Sequence, residues 1–168
     1  MKVQTTRFGD IDIQEEDVIT LAEGMLGFSE NMRFTLIPDE LGEPFQWMQS
    51  LEEPSLAFVV IEPSRVLSEY HFSVKRDQIK ALETEVVEDL LVYVIVTMAG
   101  SILDVTVNLQ GPIVINKNTN IGQQIVLNDP KFSTRHPLFT DDPEGEAEWI
   151  EAVKKENQVA SSRVAIAG

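Results

Sequence analysis

Residues 90–127 constrain this chain more than any other stretch. They open with a ten-residue apolar run, LLVYVIVTMA, broken by Gly100-Ser101. ILDVTVNL follows, with Leu103, Val105, Val107 and Leu109 at alternate positions. Gly111-Pro112, a short IVI, a turn over 116–120 and a last strand-like stretch, QQIVL, over 123–127 complete it. β-branched residues at period two, punctuated by Gly, Pro and Asn, make strands and turns. The spacing predicts four consecutive antiparallel strands with short connections. The apolar run is half of the roughly 20 residues that a membrane-crossing helix needs, so it belongs to a core.

The rest of the chain reads the same way. Strands are predicted over 2–6 and 10–13, a hairpin about Phe8-Gly9 with one wet face, and over 18–21. Others are expected over 33–37, stopped by Pro38-Asp39, over 45–51 between Pro44 and Glu53-Pro54, and over 70–74. LAFVVI at 56–61, bounded by Pro54 and Pro63, has the continuous apolar character of a strand buried on both faces. Residues 22–30, AEGMLGFSE, form a loop, and Glu15-Glu16-Asp17 a turn. A short helix is predicted over 77–84 with Asp77 as its N-cap. A second starts near Asp141-Asp142-Pro143-Glu144 and carries Ala147, Trp149, Ile150 and Val153 as a narrow apolar stripe. Residues 158–168 show no period and are expected to fray. The fold class is therefore all-β, a small antiparallel β-barrel-like domain with one or two short helices. The barrel domain is assigned to residues 1–140 and an acidic C-terminal helix or tail to 141–168.

Charge narrows the partners. The chain carries 28 acidic and 13 basic residues, a formal net charge of −15. Residues 1–62 alone hold 13 acids against 3 bases. Such a field repels phosphate backbones and anionic membranes, which argues against direct nucleic-acid or membrane binding, and it steers basic proteins inward. There is no cysteine, which removes disulfides, thiolate metal sites and a cysteine nucleophile. The start, MKVQTTRFGD, has no apolar segment of the secretory kind, so a cytoplasmic location is expected.

No motif points to catalysis. His71 and His136 lack metal-ligand spacing, and no serine sits in a Gly-x-Ser-x-Gly elbow. Gly24 and Gly27 have no lysine between or after them to make a phosphate loop. Glu15-Glu16-Asp17 and Asp141-Asp142 are turn and cap charges before they are an acid–base pair. Neither enzyme activity, cofactor nor metal is expected. The chemistry instead offers contact candidates for a protein partner. They are Met25, Leu26 and Phe28 in the glycine loop, Phe45, Trp47 and Gln49 on the following strand, and Asn116 and Asn118 at a turn. Glu15, Glu16 and Asp17 serve as steering charges. For each of these the alternative is a structural role. Two rival functions stay open, a small-ligand-binding barrel with an interior cavity and a carboxylate-dependent hydrolase.

Three segments in order carry a resemblance. GMLGFSENMRFTLI at 24–37, PFQWMQSLEEPSLAFVVIEP at 44–63 and VTVNLQGPIVINKNTNIGQQIVLND at 105–129, continued by RHPL at 135–138, resemble the FliW flagellar assembly factors over roughly residues 2–138. Gly111 stands where alanine is common in that family and Met48 where leucine is common, and neither disturbs the fold. The resemblance implies a small antiparallel β-barrel and a non-enzymatic regulator. It implies binding of flagellin in the cytoplasm before export. It also implies binding of CsrA, a small basic dimeric protein that represses flagellin translation by covering its messenger RNA. Flagellin and CsrA would then compete for the chain, with CsrA contacted away from its RNA-binding surface. It supplies no contact residues.

Overall fold

The computed structural model describes residues 1–39, 44–98, 104–138 and the strand Arg163–Ala167. In chain order the strands are β1 (Lys2–Thr5), β2 (Gly9–Asp12), β3 (Ile19–Leu21), β4 (Arg33–Pro38), β5 (Gln46–Ser50), β6 (Ala57–Ile61) and β7 (His71–Lys75). They continue with β8 (Leu90–Thr97), β9 (Thr106–Val107), β10 (Ile113–Asn116), β11 (Ile121–Gln124), β12 (His136–Pro137) and β13 (Arg163–Ala167). Short 3-10 helices occupy Glu15–Asp17, Pro63–Arg65, Arg76–Leu82 and Val87–Asp89.

Seven strands close into a barrel in the order β8, β10, β11, β3, β4, β5, β6 and back to β8. Neighbours in a fully antiparallel ring must alternate direction, so a ring of odd number contains at least one parallel pair. Here it is β11 with β3, through Ile121↔Thr20 and Gly122↔Leu21. The expected barrel is present, and its closure is the one departure from antiparallel pairing within the ring.

The predicted run of four consecutive strands is corrected in one respect. β10 pairs with the first half of β8, from Ile113↔Tyr93 to Asn116↔Leu90. β9 pairs with the second half, through Val96↔Val107 and Thr97↔Thr106. Since β6 takes the other edge at Val96↔Val59, β9 and β10 lie end to end along one edge of β8. Pro112 lacks an N–H for the ladder, and the Gly111-Pro112 step breaks one long partner strand into two.

Two apolar clusters follow from strand alternation. Leu21, Phe34, Met48, Val60, Ile113 and Ile115 come from around the ring and fill the barrel interior with side chains. Ile61, Val94, Val96 and Val107 point outward and are covered by Tyr70, Phe72, Val74, Leu82 and Phe132. β6 and β8 are therefore buried on both faces, as LAFVVI foretells for β6. Among the described residues side chains fill the interior, which counts against the ligand-binding-barrel reading.

The helix predicted over 77–84 is a 3-10 helix over Arg76–Leu82, and Asp77 is not its cap. Gln78 Oε1 accepts the Lys75 N–H at 2.8 Å instead. Ile79, at φ −115 and ψ 15, departs from helical geometry, so the turn does not extend as an α-helix. The helix expected from Asp141 lies outside the described residues. Of the segment expected to fray, Arg163–Ala167 is a strand, pairing in parallel with β7 from Arg163↔His71 to Ala167↔Lys75. An edge strand holds a row of unmet backbone groups, and β13 meets those on one side of β7.

Candidate functional site

The glycine loop folds back on itself between β3 and β4. Gly24 has φ +70 and Gly27 φ +84, conformations open to glycine. Phe28 N–H donates to the Met25 carbonyl at 2.7 Å, closing a tight turn. That turn divides the three apolar candidates. Met25 is 1% exposed and joins the barrel interior, while Leu26 at 55% and Phe28 at 42% stay outside. Expectation of a partner contact through the Met25 side chain is thus corrected, because it plugs the core. Phe28 is held edge-on against Phe58, with centroids 5.4 Å apart, and the Leu26 N–H donates to Gln124 Oε1 at 2.9 Å. Two apolar side chains are thereby displayed from a fixed backbone, with exposed Met32 following in the same connection.

Phe45 and Trp47 are half-buried. The Trp47 indole N–H donates to Asp39 Oδ1 at 2.9 Å, its ring lies 4.3 Å beneath the Arg7 guanidinium, and Phe8 packs edge-on at 5.8 Å. Trp47 therefore fixes the turn between β1 and β2 to the outside of the barrel, with only part of its ring left for a partner. Gln49, fully buried, donates through Nε2 to the carbonyls of Ser50, Pro54 and Leu56 at 3.0, 3.2 and 3.1 Å. It ties the turn after β5, and its assignment as a contact residue is corrected.

Asn116 is also buried. Its Nδ2 donates to the Leu82 carbonyl at 2.7 Å and its Oδ1 accepts the Asn118 N–H at 3.0 Å. That side chain joins the 3-10 helix Arg76–Leu82 to the β10–β11 turn, so it too is structural. Asn118 is exposed on the turn.

Glu15, Glu16 and Asp17 form an exposed acidic 3-10 turn. No ion pair involving them occurs among the described residues. Asn120, in the left-handed region at φ 57, donates through Nδ2 to the Glu16 carbonyl, and Thr35 Oγ1 donates to the Asp17 carbonyl at 3.1 Å. The structure thus joins the acidic turn to the β10–β11 turn and to β4. The sequence reading did not single out Asn120, and an asparagine closing a predicted turn was the available signal. An open groove of about 450 Å³ runs there between Ile11, Ile13, Leu36 and Ile37, with Asp12, Glu16 and Asp17 on its walls.

Elsewhere titration reports burial more than chemistry. Burial pushes the Tyr70 phenol well above its ordinary value, and pushes Tyr93 up to about 12 with the nearby Glu62 charge adding to it. The Ser55 hydroxyl and N–H hold the exposed Glu53 carboxyl below the usual range. Among the described residues no three His, Cys, Asp or Glu side chains come together as metal ligands. No helix among them is long and apolar enough to cross a membrane.

Known proteins resemble this chain in sequence and in fold. The sequence profile of the FliW protein family matches residues 2–138. A flagellar assembly factor FliW of Geotalea uraniireducens (strain Rf4) is 45% identical over 139 residues, covering 83% of this chain and 85% of that protein. One from Geobacter sulfurreducens (strain ATCC 51573 / DSM 12127 / PCA) is 42% identical over 139 residues, covering 83% and 87%. A crystal structure of the flagellar assembly factor FliW superposes with a TM-score of 0.79 at 36% identity, over 84% of this chain and 99% of that one.

Proposed function

The chain belongs to the FliW family of flagellar assembly factors, and from that premise we propose that it works as a non-catalytic partner switch in the cytoplasm. It binds flagellin and the translational repressor CsrA in turn. Free flagellin occupies the chain and leaves CsrA to repress. Once flagellin is exported, the chain holds CsrA and translation resumes. The observation that carries this reading is the exposed acidic turn Glu15–Asp17, without a basic partner among the described residues. Unpaired surface carboxylates attract a basic protein at long range and quicken encounter. Leu26 and Phe28, already ordered by their loop, supply apolar contact at little further ordering cost. Once bound, the acidic chain also lowers the affinity of CsrA for RNA by like-charge repulsion, without covering its RNA surface.

Isothermal titration tests the reading. The purified protein is titrated with its cognate CsrA, then with flagellin, then with flagellin added to the preformed CsrA complex. Tight binding of each, with displacement in the third titration, is the expected result. Absence of heat from the folded protein with either partner overturns it. The antagonism of RNA binding should weaken as ionic strength rises, and antagonism indifferent to salt removes the repulsion step.

A further inference from the structure

β4 is longer than the strand beside it. Its pairing with β5 runs the whole length, from Phe34↔Ser50 to Pro38↔Gln46. Its pairing with β3 stops after Ile19↔Phe34 and Thr20↔Arg33. The Leu51 N–H donates to the Arg33 carbonyl at 2.9 Å and the Asp39 N–H to the Phe45 carbonyl at 3.3 Å. Backbone groups of antiparallel strands alternate between edges, so the odd-numbered positions of β4 serve β5 and the even-numbered ones face the β3 side. Phe34 finds Ile19 there. Leu36 comes next, past the end of β3, and its N–H and carbonyl have no hydrogen-bond partner among the described residues. Pro38 follows with a carbonyl and no N–H.

This open half-edge lines the groove described above, together with Ile11, Ile37 and the acidic residues Asp12, Glu16 and Asp17. Those three acids make no ion pair among the described residues. We infer that the open half of β4 is a strand-docking edge that takes an extended, apolar segment bearing Lys or Arg from a partner protein. The backbone of the segment meets the Leu36 N–H and carbonyl. Its alternate side chains enter the groove, and its basic groups pair with the acidic wall. Charge complementarity selects this occupant over an acidic or neutral strand. The inference rests on the reading that the chain works by binding proteins, and it names the edge and the kind of segment bound.

Amide exchange followed by NMR tests it, with cognate CsrA and flagellin as the two probes, each added to saturation. The Leu36 amide exchanges at an open-edge rate in the free protein. It slows by about tenfold or more with the partner that docks here, because a new hydrogen bond protects it. The double variant D12K/E16K, altered at two exposed positions, binds that partner about tenfold more weakly at low salt. A complex in which Leu36 keeps its free exchange rate with both partners overturns the inference, as does full affinity in the double variant. Failure of the unaltered protein to bind either probe is a separate result, which strikes the partner-switch reading and removes the inference with it.

Discussion

The Tyr70 hydroxyl donates to the Leu109 carbonyl at 2.7 Å, joining two segments 39 residues apart at the floor of the outer core. Tyr70 is 1% exposed and packs against Phe132 at 4.8 Å between ring centroids. Removing the hydroxyl alone, in Tyr70→Phe, leaves a buried carbonyl unmet and should lower stability by about 1–3 kcal/mol. Urea unfolding measures it, and an unchanged midpoint would show that the bond contributes nothing.

The same residue sets an alkaline limit. The chain has two tyrosines, and burial raises both. The folded state therefore holds protons that the unfolded state releases near pH ~10. Stability should be insensitive to these groups below that pH and fall as pH rises through the folded values, which for Tyr93 means about 12. Absorbance at the phenolate band, followed beside circular dichroism, should show phenolate appearing with unfolding. A tyrosine that titrates near its ordinary value in the folded chain contradicts this.

Asn116 and Asn118 should separate cleanly. Asn116→Ala removes a donor to the Leu82 carbonyl and an acceptor for the Asn118 N–H, both within hydrogen-bond distance and the first fully buried. A loss of about 2–4 kcal/mol is expected from two unmet partners. Asn118→Ala, on the exposed turn, should stay within about 0.5 kcal/mol. Equal thermal shifts in the two variants would return Asn116 to the surface.

Within the glycine loop, Gly24→Ala and Gly27→Ala make a matched pair. Both residues have positive φ, yet a Cβ on Gly24 would sit 2.6 Å from the Ser29 carbonyl oxygen, whereas one on Gly27 meets nothing within 4 Å. Gly27→Ala should cost about 1 kcal/mol from backbone strain, and Gly24→Ala clearly more, because backbone must shift. Met25→Ala should cost about 2–5 kcal/mol as a core deletion. Leu26→Asp should leave thermal stability nearly unchanged while weakening partner binding. Calorimetry and titration on the four variants decide; destabilisation by Leu26→Asp as large as that by Met25→Ala would undo the division of the loop.

The C-terminal strand gives a further test. Deleting residues 163–168 removes the parallel partner of β7. Amides of His71–Lys75 that face β13 should exchange faster in the truncated chain, while those of β10 and β11 stay as they were. Unchanged exchange along β7 would show that β13 does not pair there in solution.

What the sequence by itself determined is the set of elements and their faces. Period-two alternation and proline or glycine breaks report each strand's own two sides, so a doubly buried β6 was legible. The family motifs were legible for the same reason, as they are local strings. Only the tertiary structure decided what covers each face from far along the chain. Gln49 and Asn116 read as contact residues, yet Gln49 holds the carbonyls of Pro54 and Leu56 and Asn116 that of Leu82, acceptors brought to them by folding. Asp39, Arg7 and Phe8 likewise converge on Trp47. The parallel seam between β11 and β3 and the open half of β4 follow from closing seven strands of unequal length into a ring. Hydrophobic period is a property of one segment, whereas closure, register between distant strands and the burial of polar side chains depend on pairs of segments.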